Sequence, residues 1–135
     1  MVMATHTKLL HAIVVLQTAA VFVQSITAGL MMTIPSGHVL HSAGSYTLWV
    51  VTVAHVVVAV LAWRPGGGSA QPIWYALGFL ALITGQVYAG VFHLTALHVP
   101  LAAVLLVASL LYLLRIRSSL RRNTRPRPAA AAAYR

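Results

Sequence analysis

The sequence predicts an all-α integral membrane protein, an antiparallel four-helix bundle built from two repeated helical hairpins. Three observations support this prediction. Of the 135 residues, 60% are hydrophobic and only 7% are charged, whereas about a quarter of the residues of a soluble domain are charged. Four long apolar stretches divide the chain, and no Lys or Arg lies inside any of them. A short pattern of Gln, Ala-Gly and His occurs twice.

The four apolar stretches are predicted to be membrane-spanning helices. The first three reach about 20 residues, which at about 1.5 Å per residue crosses a hydrocarbon core of about 30 Å. The fourth is shorter, and we expect Arg115 and Arg117 to lengthen it by extending their side chains to the headgroups. Pro and Gly residues mark the expected breaks at Pro35–Gly37, Pro65–Gly68 and Leu97–Pro100. The predicted spans are Leu10–Met32, His41–Trp63, Ile73–Phe92 and Val99–Leu114.

Charge predicts the topology and the domain limits. The first apolar run is longer than the core of a signal peptide and contains Gln17 and Gln24, so we expect it to be retained. Lys8, Arg64 and the basic tail fall on one side, and the loops on the other side contain no Lys or Arg. The positive-inside rule then places both termini in the cytoplasm. Residues 1–118 are predicted to form the bundle, and residues 119–135 a basic disordered cytoplasmic tail.

Missing residue types exclude several kinds of chemistry. The chain contains no Asp, Glu or Cys. Carboxylate-bridged metals, a Ser-His-Asp triad, thiol catalysis and iron–sulfur ligation are therefore excluded within this chain. Seven histidines remain, and polar groups inside a membrane are the ones that indicate function.

Two of these histidines occupy equivalent positions in an internal repeat. Gln24 is followed by Ala-Gly, a loop, and His41 at the head of the second span. Gln86 is followed by Ala-Gly, a loop, and His98 at the head of the fourth span. Internal repeats place binding sites at the interface between the repeats. We therefore expect the two imidazoles to face each other across the core.

A pair of facing imidazoles with no thiol or carboxylate nearby favours a b-type haem. Such a haem takes one axial ligand from each of two helices of a bundle. The glycines Gly29, Gly44 and Gly90 are expected to leave room for its flat macrocycle. Gln24 and Gln86 would line the haem edge, or else act as hydrogen-bonding links between helices.

Other histidines leave alternatives open. His38 and His93 are expected at the same end as His41 and His98, where they would receive the haem propionates or complete a copper or zinc site of three or four ligands. His55 follows His41 by 14 residues on the second span, a spacing similar to the His-x13-His pair of respiratory cytochrome b. A second haem near His55 and His11 is one reading of this spacing. The other is a hydrogen bond from His55 to Tyr112 or Gln17.

The motifs resemble two groups of proteins. The stretch Gln24–Gly29, His41-x-x-Gly44, Gln86 and the run Ala96–Pro100 look like a family of small bacterial four-helix membrane proteins, over about residues 10–114. Each hairpin is also similar to half of a haem A synthase bundle, in which histidines at the heads of alternate helices ligate haem b. The resemblance implies haem ligation by His41 and His98. The catalytic Glu and the Cys pair of that family have no counterpart here.

The sequence therefore predicts a cytochrome b-like membrane protein that binds haem, and with it iron, for electron transport. Two axial histidines favour electron transfer over oxygen activation, so any enzymatic role would be that of a haem-dependent oxidoreductase. The alternatives are a copper- or zinc-binding protein and a cofactor-free accessory membrane subunit. Expected partners are the lipid bilayer, a redox protein or respiratory complex, or a second copy of the chain, and nucleic acid is not expected.

Overall fold

Four helices make up the part of the chain that the structure, a computed structural model, describes. This part comprises residues 2–64 and 69–124, with side chains given for residues 6–64 and 69–119. The helices are α1 (Val2–Met31), α2 (Gly37–Trp63), α3 (Gln71–Val91) and α4 (Thr95–Thr124). All four predicted spans are thus helical. The predicted break at 65–68 and the tail residues 125–135 lie outside the described residues.

Each helix is long and apolar enough to cross a membrane. The apolar segments run from 21 residues in α3 to 27 in α2, and 21 residues at about 1.5 Å each already reach about 30 Å. Large apolar side chains cover the outside, among them Phe22, Val50 and Leu111, each more than half exposed. Such a surface suits lipid rather than water.

The fourth helix is longer than predicted at both ends. It begins at Thr95, so Leu97–Pro100 is not a break, and Pro100 lies in the second turn. A proline there removes one backbone hydrogen bond, the one that would reach the carbonyl of Ala96. At the other end, residues 119–124 of the predicted tail are helical, because Arg is a good helix former and the first proline comes only at position 126.

The helices pack in a ring in which α1 and α3 each contact both α2 and α4. Helices α2 and α4, which carry the two repeat histidines, are therefore diagonal neighbours across the core. The centre of the bundle is apolar and is formed by one residue or more from every helix: Val21, Leu48, Phe79, Ile83 and Leu105. Thr18, Thr52 and Ser109 are buried around it and hydrogen-bond backbone carbonyls of their own helices.

Candidate functional site

The histidine pair, His41 and His98, meets in the interior. The two ring centres lie 6.3 Å apart, and the ring planes are inclined by 73°. Both side chains are half-buried, and each lies in the first turns of its helix, α2 or α4. The packing of α2 and α4 across the ring of helices brings together two residues that are 57 positions apart in the sequence.

A glutamine from the preceding helix holds each histidine through the same backbone atom. The Gln24 amide donates to the carbonyl oxygen of His41 at 2.8 Å. The Gln86 amide donates to the carbonyl oxygen of His98 at 2.9 Å. The two glutamines predicted from the repeat are thus placed at the two predicted histidines, where they join α1 to α2 and α3 to α4.

The His98 ring has a defined tautomer. Its Nδ1 lies 3.0 Å from the carbonyl oxygen of Gln86. Because a carbonyl can only accept, Nδ1 must carry the proton, and Nε2 of the neutral ring keeps its lone pair. A hydrogen bond of this kind from the second ring nitrogen is the usual support of a metal-binding histidine.

The surroundings of His41 allow the same tautomer. The Gln24 amide nitrogen lies 3.2 and 3.5 Å from the two ring nitrogens, so it sits beside the ring rather than on either nitrogen. Its two protons are used by the His41 carbonyl and by Ser45 Oγ, at 2.8 and 2.6 Å. Thr27 Oγ1, 3.2 Å from His41 Nδ1, can then accept from that nitrogen while its one proton is shared between the backbone carbonyl and the side-chain oxygen of Gln24, at 2.9 and 3.2 Å. This assignment leaves the lone pair on Nε2.

Two of the three glycines lie against side chains of the site. A Cβ at Gly44 would collide with the Gln24 amide oxygen, and a Cβ at Gly90 would lie 3.0 Å from Cε1 of His98. These two glycines therefore make room for the Gln24 and His98 side chains, and the space they would leave for a macrocycle stays a prediction. Of the three glycines named in the prediction, only Gly29 has no atom within 4 Å of the position its Cβ would take.

His38 and His93 do not join the pair. Both are exposed, and no group of three histidines close enough to hold a metal ion occurs within residues 2–64 and 69–124. His93 lies two residues after the end of α3 and has a positive φ of 55°. The amide of Leu94 bonds to the carbonyl of Ala89, and that of His93 to Gly90, the pattern of a Schellman cap in which glycine is more usual.

His55 lies apart from the pair, fully buried in the other half of α2. Its Nδ1 is 2.6 Å from Oε1 of Gln17, which confirms the predicted hydrogen bond to that residue. Its ring stacks on Tyr112 at 5.9 Å between centres. Since Gln17 Oε1 only accepts, His55 Nε2 keeps a lone pair, and that atom has no hydrogen-bond partner among the described residues. A second haem near His55 and His11 stays a prediction.

Sequence reasoning had not singled out Thr27 or Ser45. Thr27 and Ser45 complete the contacts of Gln24 and His41, and Tyr75 stacks on Tyr112 at 4.5 Å between ring centres. Their helical spacing was a usable signal, because Thr27 lies three residues after Gln24 and Ser45 four residues after His41, so each shares a helix face with its partner.

Comparison with known protein families, characterised proteins and solved structures finds no match to this chain. The resemblance to haem A synthase therefore rests on the motifs alone.

Proposed function

We propose that this protein is a b-type cytochrome of the membrane, in which His41 and His98 are the axial ligands of one haem used for electron transfer. The observation that carries the proposal is the distance between the two rings. A bond from a metal to an imidazole nitrogen is about 2 Å long, and the ring centre lies about 1 Å behind that nitrogen. Two opposed imidazoles that share one metal therefore have centres about 6 Å apart, close to the 6.3 Å found here.

Several contacts support the same donor set. In the tautomers described above, both rings keep a lone pair on Nε2, the form in which imidazole binds a metal. The Gln86 carbonyl orients His98, and Thr27 with Gln24 orients His41. Held at the backbone and at Nδ1, the rings lose little freedom when they bind a metal, because their positions are already restricted. When bound, a bis-histidine haem supplies a one-electron couple with no open position for oxygen.

The surrounding architecture that we propose follows the sequence predictions. The chain forms an antiparallel bundle of two repeated hairpins, with both termini in the cytoplasm of a bacterium and the histidine pair near the opposite leaflet. The exposed polar groups at that end are then the ones available to the haem propionates. They include Thr33, Ser36, His38 and His93.

A bare copper or zinc site is less well supported. Protein sites for these ions use three or four ligands, whereas the described residues bring two histidines together. Two imidazoles are enough to complete the coordination of a haem iron, because the macrocycle supplies the other four nitrogens.

An absorption spectrum of the purified full chain tests the proposal. We expect a Soret band, α and β bands that sharpen on reduction, and one haem per chain by pyridine haemochrome assay. His41→Ala and His98→Ala should each lower the bound haem at least tenfold, because one axial bond is lost. His6→Ala is the matched control, and it should retain the spectrum.

Three results would overturn the proposal. Colourless protein that gives no spectral shift when titrated with haemin would exclude the site. A full spectrum in His98→Ala would assign the ligand elsewhere. Stoichiometric copper or zinc in a haem-free preparation, lost on His41→Ala, would favour the bare-metal alternative, and protein free of both would favour a cofactor-free accessory subunit.

A further inference from the structure

A cavity of about 300 Å³ lies at the end of the bundle away from the histidine pair, between α1, α3 and α4. We call it the Arg115 cavity, after the cation in its lining. Its volume is at the lower limit of small-molecule sites. Arg115 follows His98 by 17 residues on α4, a separation of about 25 Å along the helix. A ligand in this cavity would therefore not compete with one at the histidine pair.

The cavity lies at the level where the apolar parts of three helices end. The segments long and apolar enough to cross a membrane begin at His6 in α1 and at Gln71 in α3, and the one in α4 ends at Ser119. Thr7, Gln71 and Ser119 all line the cavity. The hydrocarbon core of a bilayer gives way to the layer of head groups at such limits. In a bilayer the cavity is therefore level with the phosphates of the lipids.

Arg115 has no negative partner and retains unused donors. Its two terminal nitrogens donate to the Tyr75 hydroxyl at 3.0 Å and to the Gln71 side-chain oxygen at 3.1 Å, and both acceptors are neutral. A guanidinium has five N–H groups, so these two bonds to the described residues leave three. No side chain can neutralise the charge, because the sequence contains no Asp or Glu. An anion from outside the chain would supply the missing partner.

The contacts of Arg115 also fix the position of its charge. The guanidinium carbon lies 5.6 Å from the centre of the Tyr75 ring, and that ring stacks on the buried Tyr112 at 4.5 Å between centres. An arginine held in this way loses little freedom when it binds an anion. The positive end of the α3 dipole adds to the potential, because α3 begins at Gln71 and has no acidic residue in its first turn.

The apolar surroundings distinguish a lipid anion from a free one. Leu10, Pro72 and Ile116 form an apolar wall of the cavity, and the nearby side chains of Trp74 and Leu114 are exposed on the outside of the bundle. A free phosphate would use the guanidinium and would gain nothing from these surfaces. A phospholipid carries its phosphate at the interface and its acyl chains in the hydrocarbon core, so it can use both.

We propose that the Arg115 cavity binds the head group of an anionic phospholipid. The unused N–H groups of Arg115 donate to the phosphate oxygens, and the acyl chains lie on the apolar surface of α3 and α4. A zwitterionic head group is disfavoured, because its ammonium would be repelled by Lys8 and Arg117 at the same end of the bundle. This site is separate from the proposed haem site, and its test does not depend on bound haem.

Native mass spectrometry of the full chain in a neutral detergent tests the site. Dioleoyl phosphatidylglycerol and dioleoyl phosphatidylcholine, which share their acyl chains and differ in net charge, are titrated in turn. We expect phosphatidylglycerol to bind about tenfold more tightly, and Arg115→Gln to remove most of that preference. Arg117→Gln is the matched control, because it removes the same charge from an exposed position of α4 outside the cavity. It should lower the preference about twofold at most.

Thermal unfolding in the same detergent separates loss of binding from loss of fold. Phosphatidylglycerol should raise the unfolding midpoint of Arg117→Gln more than that of Arg115→Gln. Ser119→Trp is a second variant, which retains every charge and narrows the cavity from an exposed position, and it should lose the preference as well.

Two results would overturn the proposal. An equal preference for phosphatidylglycerol in Arg115→Gln and Arg117→Gln would leave only a general attraction of the cationic end to anionic lipid. Inorganic phosphate that raises the unfolding midpoint of the unaltered protein as much as phosphatidylglycerol does would make the cavity a site for free anions.

Discussion

In both glutamine–histidine contacts the glutamine amide donates to the backbone carbonyl of the histidine. The other hydrogen bonds of the two glutamines differ. Gln24 has its amide nitrogen bonded to His41 and Ser45, and its oxygen accepts from Thr27 at 3.2 Å. Gln86 has the equivalent bond to His98, but its buried oxygen has no partner among the described residues. The sequence explains the difference, because the positions that match Thr27 and Ser45 are Ala89 and Ala102.

The comparison shows that the protein holds the two histidines in different ways. Around His41 the polar groups of α1 and α2 satisfy one another. Around His98 the ring itself donates a hydrogen bond to α3, from Nδ1 to the carbonyl of Gln86. The side-chain oxygen of Gln86 is left without a partner among the described residues. The first contact therefore resembles a structural link between helices, whereas the second leaves a buried acceptor for water or a bound group.

The largest expected effect comes from filling the space that Gln24 uses. Gly44→Ala places a methyl group against the Gln24 amide oxygen, so that side chain must move and its bonds to His41 and Ser45 weaken. We expect a loss of about 2 kcal/mol in the free energy of unfolding, measured by denaturant titration in detergent. Gly78→Ala on α3, where no atom lies within 4 Å, is the control and should be neutral or stabilising. Equal stability of the two variants would show that the Gln24 contacts carry no energy.

A smaller effect is expected when each glutamine is replaced in turn. Gln24→Leu removes a side-chain amide whose nitrogen and oxygen both make hydrogen bonds. We therefore expect the free energy of unfolding to fall by about 1 kcal/mol. Gln86→Leu removes one bond together with an unpartnered oxygen, so its net effect should be close to zero. The same denaturant titrations compare the two. A greater loss in Gln86→Leu would mean that the unpartnered oxygen has a partner in solution.

The smallest effect is expected from adding the missing hydroxyl to the second contact. Ala102→Ser introduces the counterpart of Ser45, which can accept the second amide proton of Gln86. We expect a gain of about 0.5 kcal/mol, again in the free energy of unfolding. Ala103→Ser, at an exposed position of the same helix, is the control. A gain of equal size in both variants would point to a general effect of serine on α4 rather than to this bond.

Much of the fold followed from simple sequence patterns. Four apolar runs of sufficient length predict four helices, because the backbone must satisfy its own hydrogen bonds in lipid, and all four are found. The start of α4 was wrong because Pro100 was taken as a break, whereas a proline in the second turn costs the helix only one hydrogen bond. The side chains beside Gly44 and Gly90 could not be predicted, because spacing along a chain does not show which side chain fills the space beside a glycine.

The amino-acid sequence by itself determined that the protein has four apolar helices, that it has no carboxylate or thiol, and that Gln and His recur at matching positions. These properties are local, since each depends on residue type and spacing along one helix. Only the tertiary structure decided that the two imidazoles meet at 6.3 Å, that Gln17 binds His55, and that the Tyr112 hydroxyl is buried with no hydrogen-bond partner among the described residues. Such contacts depend on how each helix is rotated about its own axis, and packing against the neighbouring helices sets that rotation.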